Sequence, residues 1–189
     1  MTQYLPIVFA SAVIALLATP ATRWLATRLG MVDHPGVRKA HRAPTPLLGG
    51  LAMYVGVMLA FLAFGRNDWV AEGLGILGGA TLMFVTGLWD DRYGMPARLK
   101  LAAGVVAALF LSAFGVRAQL TGLVWLDTLV TVVWVVGITN AANLMDNMDG
   151  LAAGLTAVAA VFFLVLAAVE GQGLVASLAA ALLGAALCA

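Results

Sequence analysis

Residues 140–150 read NAANLMDNMDG and place Asn140, Asn143, Asp146 and Asp149 at every third position, between two long apolar runs. Charged groups cost free energy inside a bilayer, so four polar side chains grouped at the end of a span indicate a site. Three residues advance an ideal helix by about 300°, so neighbours in the series share a face. Asn140 and Asp149 could reach one ligand only through a break in the helix, for which Gly150 is suited. The alternative interpretation is a polar turn, a common use of Asn, Asp and Gly.

The composition around this stretch predicts a membrane protein. Of the 189 residues, 63% are hydrophobic and only 10% are charged, and long apolar runs recur along the whole chain. These runs predict an all-α fold, a polytopic bundle of membrane-spanning helices. A net charge of +1 gives no basic footprint for nucleic acid. The single cysteine, Cys188, excludes an intrachain disulfide.

Hydropathy divides the chain into six full spans and a truncated seventh, within one transmembrane domain over residues 1–189. The six spans cover about 4–29, 47–64, 70–89, 99–116, 123–139 and 151–169. The seventh run, 174–189, is shorter than the roughly 20 residues that cross the hydrocarbon core. We therefore expect this sequence to be the N-terminal part of a longer protein.

The basic residues predict how these spans are oriented. When the spans alternate, only Arg66 and Arg117 fall on one side of the membrane, and the other eight of the ten Lys and Arg fall on the opposite side. Because basic residues concentrate in cytoplasmic loops, we expect the N-terminus outside and three cytoplasmic loops, at about 30–46, 90–98 and 140–150.

The second of these loops begins with two adjacent carboxylates, Asp90 and Asp91. Such a pair repels itself unless a cation or a proton relieves it. Mg²⁺ prefers hard oxygen ligands and binds through one or two carboxylates plus substrate phosphates. With the polar oxygens of residues 140–150 on the same side of the membrane, the pair predicts a metal site. A solvated helix end is the alternative interpretation.

The first loop carries the opposite charge, because Arg38, Lys39, His41 and Arg42 lie within five residues. Such a cluster suits the phosphate of a nucleotide or of a lipid headgroup. Ordinary orientation of the membrane spans is the alternative explanation. A cationic loop facing acidic loops suits a phosphoanhydride held by Mg²⁺, since positioning and charge neutralisation dominate phosphoryl-type transfer.

Three motifs together resemble the polyprenyl-phosphate N-acetylhexosamine-1-phosphate transferases, of glycosyltransferase 4 type. They read DHPGVRKAHRAPTPLLGG over 33–50, DDR over 90–92 and NAANLMDNMDGLAAG over 140–154. The resemblance implies transfer of an N-acetylhexosamine-1-phosphate, with GlcNAc favoured, from a UDP-sugar to undecaprenyl or another polyprenyl phosphate. UMP is released, and a cell-envelope polysaccharide is begun. It also implies Mg²⁺, with Mn²⁺ as a second candidate, at the cytoplasmic face of the cell membrane, and a homodimer as a candidate assembly.

The resemblance also implies roles for individual residues. The expected catalytic residues are Asp90, Asp91 and Asp146. The expected metal ligands are Asn143, Asp90 and Asp91. The expected substrate-binding residues are Arg38, Lys39, His41 and Asp149.

Two departures from the family pattern qualify these roles. Asn147 stands where many relatives have glycine, and the family's later cytoplasmic motifs are absent. We therefore expect the 189 residues alone not to complete an active site. The competing functional class is an ion-coupled secondary transporter, although transporter sites lie near the bilayer midplane on broken helices.

Overall fold

The computed structural model describes residues 2–33, 45–46, 48–64, 69–145 and 150–188. This part of the chain forms seven α-helices, preceded by a 3-10 turn over Thr2–Tyr4. The helices are α1 (Leu5–Leu29), α2 (Gly49–Phe64), α3 (Val70–Tyr93), α4 (Ala97–Ala113), α5 (Val124–Met145), α6 (Leu151–Val169) and α7 (Gly173–Leu187). The predicted helical fold is confirmed, apart from one short pair of strands.

That pair consists of β1 (Val32–Asp33) and β2 (Thr45–Pro46), which run antiparallel. Val32 is opposite Pro46, and Asp33 is opposite Thr45. The two strands bring together the ends of the basic loop, whose residues 34–44 lie outside the described residues.

Four helical stretches are long and apolar enough to cross a membrane, so this is a chain of membrane-spanning type. They are Thr2–Leu29, Val70–Tyr93, Val124–Met145 and Leu151–Val169. Helices α2 and α7 are apolar but shorter. Helix α4 has 17 residues and carries Arg98 and Lys100 in its first turn. Six full spans therefore stay a prediction for α2 and α4, which are shorter than the roughly 20 residues that a span needs.

The chain folds into two compact units, and one domain over residues 1–189 stays a prediction. The first unit combines residues 1–66 with 146–189. Within it, α7 packs against α1, α2 and α6. The buried face of α7 is almost entirely alanine, with Ser177 and Gly184. Small residues let helix backbones approach closely, so the run predicted as a truncated span is the packing centre of this unit.

The second unit, residues 67–145, contains α3, α4 and α5. A Cβ on Gly75 would lie 2.6 Å from the Phe114 Cβ, and one on Gly79 would lie 3.2 Å from the Leu111 Cγ. As α3 advances, its partner positions on α4 fall in number, so the two helices are antiparallel. Helix α4 packs in turn against α5.

Helix α7 meets α1 most closely at Gly184. A Cβ on Gly184 would collide with the carbonyl oxygen of Val8 and lie 3.0 Å from the amide nitrogen of Ala12. Nearby, the Ser11 hydroxyl donates a 2.6 Å hydrogen bond to the Ala181 carbonyl oxygen. A hydrogen is therefore the only side chain that fits at Gly184 without moving backbone.

We expect Gly184→Ala to lower the thermal midpoint of the detergent-solubilised protein, because overpacking typically costs about 1–3 kcal/mol. Gly154→Ala is the matched control, since a Cβ on this helical glycine meets nothing within 4 Å. Gly154→Ala should leave the free energy of unfolding unchanged or raise it by up to about 1 kcal/mol. Equal midpoints for the two variants would show that α1 and α7 are not in close contact.

Candidate active site

The structure describes only some of the predicted site residues. Asp90 and Asp91 lie in the last turn of α3, and Asn143 lies in the last turn of α5. The other predicted residues fall outside the described part of the chain, and their roles stay predictions. These are Arg38, Lys39 and His41 within 34–44, and Asp146 and Asp149 within 146–149.

Both carboxylate oxygens of Asp90 are engaged, one by the connection that follows α3 and one by the first turn of α4. The Met95 N–H donates a 2.8 Å hydrogen bond to Oδ1, and the ammonium of Lys100 forms an ion pair with Oδ2. The backbone of Asp90 takes part as well, because its carbonyl oxygen accepts a 2.8 Å hydrogen bond from the Gly94 N–H. The side chain is 21% exposed, so the ion pair is largely shielded from solvent.

The local sequence explains why Lys100 reaches back to Asp90. Gly94 has a φ of 70°, a region that glycine occupies without strain, and this ends α3. Pro96 is extended at the N-cap of α4, where the lack of an N–H does not remove a hydrogen bond from the helix. The chain therefore reverses within three residues and lays the first turn of α4 against the last turn of α3.

Asp91 follows Asp90 and is exposed at the end of α3. One residue advances a helix by about 100°, so its side chain leaves the helix in a different direction from that of Asp90.

Aromatic rings flank the pair Asp90 and Asp91. The rings of Trp89 and Tyr93 are 5.0 Å apart, and the Arg92 guanidinium lies 5.7 Å from the centre of the Tyr93 ring. Exposed aromatic and basic side chains of this kind are typical of the membrane–water interface.

The C-terminal end of α5 lies at the same end of the second unit as Asp90 and Asp91. A Cβ on Gly104 would lie 3.3 Å from Cγ2 of Val136, which puts these two positions at one level of the α4–α5 pair. Lys100 precedes Gly104 by four residues, and Asn140 follows Val136 by four. Lys100 and Asn140 therefore both lie about 6 Å further toward the end of the unit that carries Asp90. Asn140 donates a 2.8 Å hydrogen bond to the Val136 carbonyl oxygen, whereas Asn143 is exposed. The structure thus brings the acidic pair and both asparagines to one end of the second unit.

The donor types at this end fit a magnesium ion. Carboxylate and amide oxygens are its preferred ligands, and it usually takes only one or two carboxylates from the protein. Among the residues that the structure describes, His, Cys, Asp and Glu form no group of three or more that could hold a metal ion. Asp91, Asp90 and Asn143 could therefore supply part of a ligand set, and a metal at Asp90 would compete with Lys100.

Sequence reasoning missed Lys100, which it counted only as a basic residue that orients the spans. A signal was present, because glycine and proline at 94 and 96 predict a tight reversal. Residues a few positions before and after such a reversal must face each other. Asp90 and Lys100 are four residues from the glycine and from the proline, respectively.

Comparison with known proteins gives one family and a set of relatives. The glycosyl transferase family 4 model matches residues 73–189. A probable undecaprenyl-phosphate N-acetylglucosaminyl 1-phosphate transferase of Bacillus subtilis is 32% identical over 172 residues, which cover 86% of this chain and 48% of the relative. The decaprenyl-phosphate N-acetylglucosaminephosphotransferase of Mycobacterium tuberculosis is 37% identical over 164 residues, 77% of this chain and 40% of that protein. The chain thus spans less than half the length of these curated relatives.

We expect Asp90→Asn to lower the free energy of unfolding by about 1–3 kcal/mol, because the amide keeps an acceptor for the Met95 N–H but loses the charge that pairs with Lys100 at the α3–α4 reversal. Lys100→Met should act similarly, and the double variant should cost less than the sum, as for residues in direct contact. Unfolding is followed by circular dichroism in detergent. Arg98→Met, which removes an exposed cation from the same turn of α4, is the control. Additive effects of Asp90→Asn and Lys100→Met would contradict the ion pair.

Proposed function

The chain belongs to glycosyl transferase family 4, and we propose that it transfers N-acetylglucosamine-1-phosphate from UDP-GlcNAc to a polyprenyl phosphate, releasing UMP. The observation that carries this proposal is the family match over residues 73–189, a range that includes Asp90, Asp91 and Asn143. The names of the relatives supply the sugar phosphate and the lipid class. The polar groups lie at helix ends, which favours a transferase over a transporter, whose site would lie near the bilayer midplane.

In this proposal the acidic end of the second unit binds the phosphate groups of the substrates. Asp90, Asp91 and Asn143 would hold Mg²⁺ or Mn²⁺, and when bound the metal neutralises charge on the diphosphate. Lys100 keeps a fixed ammonium against Asp90, which limits repulsion between the two adjacent carboxylates. It also places a positive charge where an anionic substrate must approach.

The substrate side of the proposal rests on the sequence motifs. Arg38, Lys39 and His41 would bind phosphate oxygens, because cationic side chains make strong charge-assisted hydrogen bonds to them. The pairing of β1 with β2 supports this role, since it brings together the two ends of the loop that carries these residues. Asp146 would join the catalytic carboxylates, and Asp149 would contact the nucleotide.

The setting of the reaction is also part of the proposal. A polyprenyl phosphate is held in the bilayer by its tail, so the transferase must work at a membrane surface. We place the active site at the cytoplasmic face of the cell membrane, with the N-terminus outside, on the basis of the distribution of Lys and Arg. A single transmembrane transferase domain over residues 1–189 and assembly as a homodimer belong to the same proposal.

We expect Asp91→Asn and Asn143→Ala, made in the full-length gene product, each to reduce UMP release by about 100-fold. This is a typical loss when one preorganised charge-stabilising group is removed. The assay follows UMP release from UDP-GlcNAc in membranes supplied with polyprenyl phosphate, over a range of Mg²⁺ concentrations. Glu72→Gln removes the same charge from the first turn of α3, at the opposite end of the helix, and should leave the rate unchanged. Wild-type rates and an unaltered Mg²⁺ dependence in both site variants would overturn the assignment.

A further inference from the structure

The connection between α4 and α5, residues 114–123, lies at the end of the second unit opposite Asp90 and is held by a buried carboxylate. Asp127, in the first turn of α5, is only 3% exposed. Its Oδ1 accepts hydrogen bonds from the N–H groups of Leu120 and Thr121, at 3.2 and 2.9 Å. The Thr121 hydroxyl donates a third, also 2.9 Å long. Sequence reasoning treated this aspartate as part of an apolar span.

A second side chain continues this network. The Thr131 hydroxyl accepts a 2.8 Å hydrogen bond from the Ala118 N–H and donates one of the same length to the Asp127 carbonyl oxygen. Other N–H groups of the connection are also paired within the protein. Those of Gly115 and Val116 donate to carbonyl oxygens at the end of α4, and that of Leu123 donates to the Thr121 hydroxyl. An irregular segment thus has most of its backbone donors satisfied without water.

The side chains of the same region have the opposite character, because large apolar groups point outward. The exposed fraction is 74% for Leu120, 53% for Leu123, 59% for Val124 and 67% for Trp125. A connection that faces water would present polar side chains and leave its backbone to be hydrated. Here Asp127 and Thr131 are buried and pair the backbone, while the large apolar groups are exposed beside Gln119 and Thr121. Backbone groups paired within the protein are what a lipid environment requires.

We propose that these four residues, which we call the interfacial anchor, insert into the boundary between headgroups and acyl chains of the bilayer. The anchor is continuous with the membrane-spanning stretch Val124–Met145, so the bilayer that surrounds α5 also reaches it. Trp125 has the amphipathic ring that favours this depth. Asp127 is a positioning residue, because its carboxylate pairs the N–H groups that would otherwise need water. This role is independent of the proposed transfer reaction.

The test uses nitroxide labels on the whole 189-residue chain in phosphatidylcholine–phosphatidylglycerol vesicles, with Cys188→Ser to remove the native thiol. Labels are placed at Leu120→Cys and Leu123→Cys, and at Gln172→Cys in the polar turn before α7 as the water-facing control. Collision with oxygen and with a water-soluble nickel chelate gives the depth of each label. We expect the two anchor labels about 5–10 Å below the phosphate level, the depth usual for interfacial segments. The control label should be at the aqueous level.

Two results would overturn the anchor. One is nickel access at Leu120 equal to that at Gln172, which means that the connection faces water. The other is shielding of Leu120 from both reagents, which means that protein covers it.

The positioning role of Asp127 has its own pair of variants. Asp127→Ala should move both anchor labels to the aqueous level, whereas Asp127→Asn, which keeps an acceptor oxygen, should retain their depth. Unchanged depth in Asp127→Ala would refute that role.

Discussion

The ion pair between Asp90 and Lys100 closes the reversal from α3 to α4, and the rest of the candidate site depends on it. Membrane helices gain little from hydrophobic burial against each other, so close packing and polar contacts must fix their arrangement. In the second unit, glycines let α3 and α4 approach, and the ion pair sets their register at one end. Helix α5 packs on α4 and brings its asparagines to that same end.

This arrangement separates two tasks within an acidic pair. Asp90 is tied to the backbone of Met95 and to Lys100, so its first role is to hold the reversal in place. Asp91 leaves the helix in another direction and is exposed where a substrate could approach. A metal that engaged both carboxylates would have to compete with the Lys100 ammonium.

Hydropathy and charge predicted much of this, because apolar runs, turn residues and basic loops are local features of the sequence. They indicated the helical fold and the positions of seven helices, and the resemblance carried by three motifs indicated the family. They could not indicate which distant groups would pair. Lys100 was counted as an orienting charge, Asp127 was included in an apolar span, and nothing in the alanine-rich run of α7 indicated that it packs against α1. Each of these depends on a neighbour that only the folded chain supplies, such as Thr121 for Asp127 or Val8 for Gly184.

We propose that a metal binds at the end of the second unit that carries Asp90, Asp91 and Asn143. Mn²⁺ in place of Mg²⁺ can report on this site, because a paramagnetic ion shortens the relaxation time of a nearby nitroxide. With UDP-GlcNAc present, a label at Tyr93→Cys should relax much faster when Mn²⁺ is added. A label at Gln119→Cys, separated from it by the roughly 25 Å length of α4, should change little. Equal effects at both positions, or no effect at Tyr93, would show that the metal does not bind at this end of the unit.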